Sequence, residues 1–161
     1  MSISTLINKI KKMPNCIVHQ PSGFPILEEN HSLPEDINEF YNLCGGIDLF
    51  IDSDYSFSIS TPNKFELANP IIIGRIAEYD LSSDWYIIGF DKHNEYITVD
   101  LNSKRLGRCY DSFWDRHGVA GECSIIATSL TDLLERLLNN AGQSCYWLDE
   151  GFVSLGDAYD V

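Results

Sequence analysis

Lys and Arg are scarce in this 161-residue chain, and between Met13 and Asn63 there is none at all. That stretch nevertheless carries Glu28, Glu29, Glu35, Asp36, Glu39, Asp48, Asp52 and Asp54. The last thirteen residues also lack a base while holding Asp149, Glu150, Asp157 and Asp160. Overall 11 Lys+Arg face 24 Asp+Glu, a formal net charge of -13. Such a field repels nucleic acid and anionic membranes and draws basic partners in, so neither nucleic acid nor membrane is expected as a partner. No apolar run approaches the ~20 residues that a membrane-spanning helix needs. The N-terminal MSISTLINKIKKMPN puts its lysines after its apolar residues, the reverse of a secretory leader, and points to the cytoplasm.

Chemistry-bearing motifs are missing too. There is no phosphate-binding loop, no Gly-x-Gly-x-x-Gly, no His-Glu-x-x-His and no Gly-x-Ser-x-Gly. The five cysteines, Cys16, Cys44, Cys109, Cys123 and Cys145, form no Cys-x-x-Cys pair and read as free thiols that pack like small hydrophobes. Cys16 and His19 have a spacing zinc can use, with Cys109, His117 and Cys123 to complete a set, but structural zinc sites usually offer two such pairs. No metal or cofactor is therefore expected. A Cys–His hydrolase needs Cys109 or Cys44 as thiolate, His117 or His93 as base and Asp115 to orient it, and all three must converge in space. The chain reads as a binding protein rather than an enzyme.

What is present describes one folded domain, 1–161, with 44% hydrophobic residues and no repeat or linker. Ile3, Leu6, Ile7 and Ile10 recur at helical spacing before Pro14. Residues 14–32 read as irregular. A second helix is predicted from Ser32 and Glu35 as a capping box, with Ile37, Phe40, Tyr41 and Cys44 on one face and Gly45-Gly46 as its stop. Strands are predicted at 48–52, 55–60, 71–76, 85–90, 95–101, 105–110 and 124–127. In the fifth of these Ile97, Val99 and Leu101 share a face. Ser129 and Asp132 then open a helix whose stripe is Leu130, Leu133, Leu134, Leu137, Leu138 and Ala141, closed by Gly142. The fold class is α+β: helices covering a mainly antiparallel, twisted sheet.

These elements carry a resemblance. Leu33-Pro34-Glu35-Asp36-Ile37 with Phe40-Tyr41 and Gly45-Gly46 is similar to the early helix of the SUKH superfamily (Smi/Knr-like proteins). Trp85-Tyr86-Ile87-Ile88-Gly89 and Tyr96-Ile97-Thr98-Val99-Asp100-Leu101 resemble its middle strands. Tyr110-Asp111-Ser112-Phe113-Trp114 and the run from Ile125 to Leu130, leading to Leu133-Leu134, resemble its C-terminal half. The likeness spans 33–140. Residues 14–32 depart from it, being short and punctuated by Pro21, Gly23 and Pro25 where many members place a charged helix. The resemblance implies a bacterial immunity protein, an antitoxin that binds and neutralises a cognate polymorphic toxin, in many cases a nuclease. Its alternative is a regulatory or scaffold interaction module of the same fold.

A basic toxin would meet acids for steering and aromatic anchors for affinity. The candidate contacts are Glu35, Asp36 and Glu39 on the second helix, Asp52, Asp54 and Tyr55 in a turn, Trp85, and the polar stretch Asp111, Trp114 and Asp115. Trp147 is a further aromatic near a loop.

Overall fold

Ile3, Leu6, Ile7 and Ile10 all fall on one face of α1 (Ile3–Lys11), and all four are buried. Ser2 caps that helix by accepting the Thr5 N–H at 3.2 Å. The same logic builds α4 (Leu130–Asn140), which buries Leu130, Leu133, Leu134 and Leu137. Ser129 Oγ accepts the Asp132 N–H at 3.0 Å, and the Asp132 carboxylate answers on the Thr128 N–H at 2.9 Å, one residue before a capping box would place it. Between them lies α2 (Glu35–Leu43), burying Ile37, Phe40 and Tyr41. These three helices lie over one face of the sheet and enclose the larger apolar core.

The computed structural model describes residues 1–160. Seven strands stand side by side in chain order with every neighbouring pair antiparallel: β1 (Ile17–Val18), β2 (Ile47–Leu49), β3 (Phe57–Ile59), β4 (Trp85–Asp91), β5 (Tyr96–Asp100), β6 (Cys109–Ser112) and β7 (Ile125–Ala127). This is the expected α+β class. Ile97, Val99 and Leu101 face the helices as the alternation predicts. The opposite face holds a second, smaller cluster: Trp85, Ile87, Tyr110, Cys123 and Ile125, covered by Ala68 and Ile72 of α3 (Ala68–Ile72) and by Ala158 near the C-terminus.

Four local expectations are corrected. Residues 71–76 are not a strand; α3 ends at Ile72 and the chain loops on. Pro70 could not donate to a ladder but is tolerated in a helix's first turn, and the Asn69 side chain closes the loop by donating to the Ile76 carbonyl at 3.2 Å. Ser32 does not cap α2, whose N-cap is Pro34 with no side-chain bond; Glu35 and Asp36 in the first turn complement the helix dipole instead. Residues 105–108 form a turn before β6, because the Asp100 carboxylate captures Arg105 Nε at 2.8 Å and the Asn102 N–H at 2.9 Å. Residues 14–32 include β1, whose two residues pair with Ile47 and Asp48 and are too few to show alternation.

Candidate functional site

In a meander of this order the β2–β3, β4–β5 and β6–β7 connections emerge at one end of the sheet. Lys92 and Glu95 of the second tie it to the first and the third. In the first connection Ser53 Oγ donates to the Gly142 carbonyl just beyond α4, and Tyr55 N–H donates to Ser53 Oγ at 3.0 Å. Lys92, from the second, donates to the Ser53 carbonyl at 3.0 Å and stands 3.7 Å from Asp54. Glu95, ending the same turn, accepts the Trp114 N–H of the third at 3.2 Å. Asp52, Asp54, Tyr55, Trp114 and Asp115 are thus brought to one end, and all five are exposed. Trp114 is 70% exposed, unusual for the largest side chain in the repertoire.

Beneath this end stands Asp111, fully buried. Its carboxylate accepts from Arg116 Nε at 2.7 Å, Trp147 Nε1 at 3.0 Å and the Phe113 N–H at 3.1 Å. Burial raises its pKa, opposed by the Phe113 N–H and the Arg116 charge. Phe57, Phe113 and Trp147 pack around it with ring centroids 5.7 to 6.5 Å apart. Asp111 therefore positions the loop that displays Trp114 and Asp115 and offers no surface of its own, which corrects its expected place among the contacts.

Trp85 is corrected for the same reason. It is 0% exposed, lies 4.4 Å from Tyr110 between ring centroids, and donates Nε1–H to Asp100 at 3.2 Å. Trp147, 5% exposed, is likewise interior. The acids of α2 divide: Glu35 and Glu39 are exposed, whereas Asp36 accepts the Thr131 N–H at 2.9 Å and hydroxyl at 2.8 Å and fastens α2 to the start of α4. Pro34 sits beside Gly107 in the β5–β6 turn. That places the start of α2 at the opposite end of the sheet from Asp54 and Trp114, so the predicted contacts form two separate surfaces.

The groups of the hydrolase alternative are not brought together. Cys109 and Cys44 lie in the core beneath the helices, while His117 packs edge-on against Trp85 on the other face and His93 is exposed in the β4–β5 turn. Burial pushes the Cys109 thiol well above its ordinary value and raises that of Cys44. His117 Nε2–H donates to Asn69 Oδ1 at 2.7 Å, and burial lowers its pKa to about 4 against a smaller opposing pull from Asp80. Cys16 and His19 gather no metal set: His19 Nε2 instead pairs with Asp48 at 2.8 Å, and among the described residues no three His, Cys, Asp or Glu side chains are placed to hold an ion.

Sequence reasoning missed a group of exposed apolar residues in the strap before α2 and around α3. Ile26 and Tyr79 are 93% and 97% exposed, and Ile71, Ile73 and Ile76 also reach solvent. Pro70 and Gly74, which break the β-branched run, were the signal that it is not a core strand.

Residues 27–136 match the model of the SMI1 / KNR4 family (SUKH-1). Over 160 residues, 99% of this chain and 97% of the relative, the sequence is 53% identical to Immunity protein YokJ of Bacillus subtilis (strain 168). No solved structure matches the chain. The matched segment runs from the strap before α2 through most of α4 and so takes in six of the seven strands. With six strands, α2, most of α4 and two thirds of its length matched, the chain belongs to the SMI1 / KNR4 family (SUKH-1).

Proposed function

We propose that this protein is a cytoplasmic immunity protein that binds a cognate toxin domain and neutralises it by direct contact, without catalysis. The observation that carries the reading is the 53% identity, along nearly the whole chain, to a protein named as an immunity protein. The toxin is a nuclease in this reading. A nuclease must present a basic surface to phosphates, and a partner of net charge -13 is suited to occupy or border that surface. Asp52, Asp54 and Asp115 steer the encounter, and Tyr55 and Trp114, standing among them, supply aromatic contact area.

The test is a cell-killing assay with the toxic domain encoded beside this gene. Co-expression of this chain should restore growth, and the two proteins should co-purify. Killing that proceeds equally with and without the chain would remove the immunity function for that pair. A toxin that is neutralised yet leaves DNA and RNA intact would retire the nuclease part alone.

A further inference from the structure

A groove runs beside β4, from Phe65 and Tyr86 at the margin of the helix-side core round to Ile87 and Tyr96 on the second face. One wall is the strap of residues 20–28; the other is residues 62–67 together with α3. The strap is fixed at both ends. At its start the Gly45 N–H donates to the His19 carbonyl and the His19 N–H to the Gly46 carbonyl, each at 2.9 Å. A Cβ on Gly45 would collide with the Gln20 carbonyl, so the glycine pair that stops α2 also lets the strap pass. At its far end the Glu28 N–H donates to the Tyr86 hydroxyl at 3.0 Å. His31 bridges that hydroxyl and the Asp84 carboxylate through its two ring nitrogens, 2.8 Å to each.

Three adjoining hollows of about 640, 410 and 280 Å³ make up the groove, and Glu66 lines all three. The first adjoins Phe24, the second lies between Ile26 and Ile71, and the third reaches Phe90 and Asn94 in the β4–β5 turn. The groove therefore opens onto the acidic end described above. Ile26 is 93% exposed, Phe24 49% and Ile71 46%, although the backbone carrying them is anchored. Apolar groups held in water on a fixed frame mark an interaction surface.

Charge says what would fill it. Glu66 is exposed and its carboxylate forms no ion pair or hydrogen bond among the described residues. Glu28 adds a second acid, and the one base lining the hollows, Lys64, is stacked over the Phe90 ring at 4.8 Å. A carboxylate ringed by apolar side chains loses water when a partner covers them and then needs a cation in its place.

We infer that this groove seats a basic segment of the toxin, one Lys or Arg meeting Glu66 while apolar neighbours pack on Ile26 and Ile71. This rests on the immunity reading. The probe is the toxic domain encoded beside this gene, purified as a catalytically inactive variant and titrated against the full chain. Glu66→Lys and Ile26→Ser together should weaken the complex by about 30-fold or more, as centrally placed contacts do. Both side chains are exposed, so circular dichroism and the unfolding midpoint should match the wild type. Replacing the responsible toxin base by Glu should restore part of the affinity of the Glu66→Lys chain. Affinity unchanged within threefold in the double variant, with loss on Asp54→Lys and Asp115→Lys, would overturn the groove and leave the immunity reading standing. Absence of any wild-type complex would sink that reading for the pair and the groove with it. A wild-type dimer that Ile26→Ser dissociates would assign the groove to a second copy and overturn the toxin as its occupant.

Discussion

The two faces of the sheet are finished differently. The helix-covered face is closed mainly by leucine and isoleucine from three helices, and its polar groups, Asp111 with Trp147 and the Tyr41 and Tyr146 hydroxyls, sit among that aliphatic volume. The other face is smaller and is built around one carboxylate: Asp100, 0% exposed, receives Trp85 Nε1 at 3.2 Å, Tyr110 Oη at 2.6 Å and Arg105 Nε at 2.8 Å. Beside α3, along the margin where this face ends, the cover stops and Phe24, Ile26 and Ile71 stand in solvent. A closed apolar face needs only the right amount of hydrophobic volume. A face held by a few directed hydrogen bonds can leave an open strip beside them without losing its shape, which is where a binding protein needs free surface.

The comparison breaks first at Asp100. Asp100→Ala strands the Trp85, Tyr110 and Arg105 donors in the interior and should cost about 3–5 kcal/mol in chemical denaturation. A loss under about 1 kcal/mol would mean that the second face does not depend on its carboxylate. On the helical side Leu134→Ala, fully buried in α4, should cost about 3 kcal/mol through lost transfer energy and a residual cavity.

His117 distinguishes the faces by pH. Its folded pKa of about 4 lies below the ordinary 6.5, so the folded protein favours the neutral ring. That contribution is fully present above pH 6.5 and is lost as pH falls from there toward 4, up to about 3 kcal/mol in all. The stability of His117→Gln should therefore fall less steeply than that of the wild type across this window, whereas Leu134→Ala should run parallel to the wild type. Parallel curves for His117→Gln would show that its environment does not oppose protonation.

The smallest effect on stability belongs to the exposed acids. Asp52→Lys, Asp54→Lys and Asp115→Lys together should change unfolding free energy by less than about 0.5 kcal/mol. They should nevertheless slow association with the toxin roughly tenfold at low salt. Glu35→Lys with Glu39→Lys, at the other end of the sheet, should slow it less than twofold. Equal slowing by both sets would mean that the whole field, and not one end, steers the encounter.

Legibility followed the range of the physics. The stripe of α1, the first four positions of that of α4, the Ser129 cap and the facing of Ile97, Val99 and Leu101 are all local and readable from spacing, whereas Leu138 is half-buried and Ala141 is the exposed C-cap. The run at 71–76 was misread because β-branched residues raise strand propensity wherever they occur, and only burial distinguishes a strand from a loop. Of the candidate contacts, the five at the acidic end are exposed, whereas Trp85 and Asp111 are buried, because residue type does not say which aromatic or acid finds a buried partner.

Net charge, the stretch from Met13 to Asn63 without Lys or Arg, and helix faces were decided by the sequence itself, since each depends on identity or short-range periodicity. Tertiary structure alone decided that Asp52, Asp54 and Asp115 share one end while Glu35 and Glu39 sit at the other. It alone withdrew Asp36, Asp100 and Asp111 from the surface and left Glu66 among apolar side chains. Those outcomes turn on contacts between residues tens of positions apart, and a carboxylate becomes a tie, a post or a docking point only once the chain has closed around it.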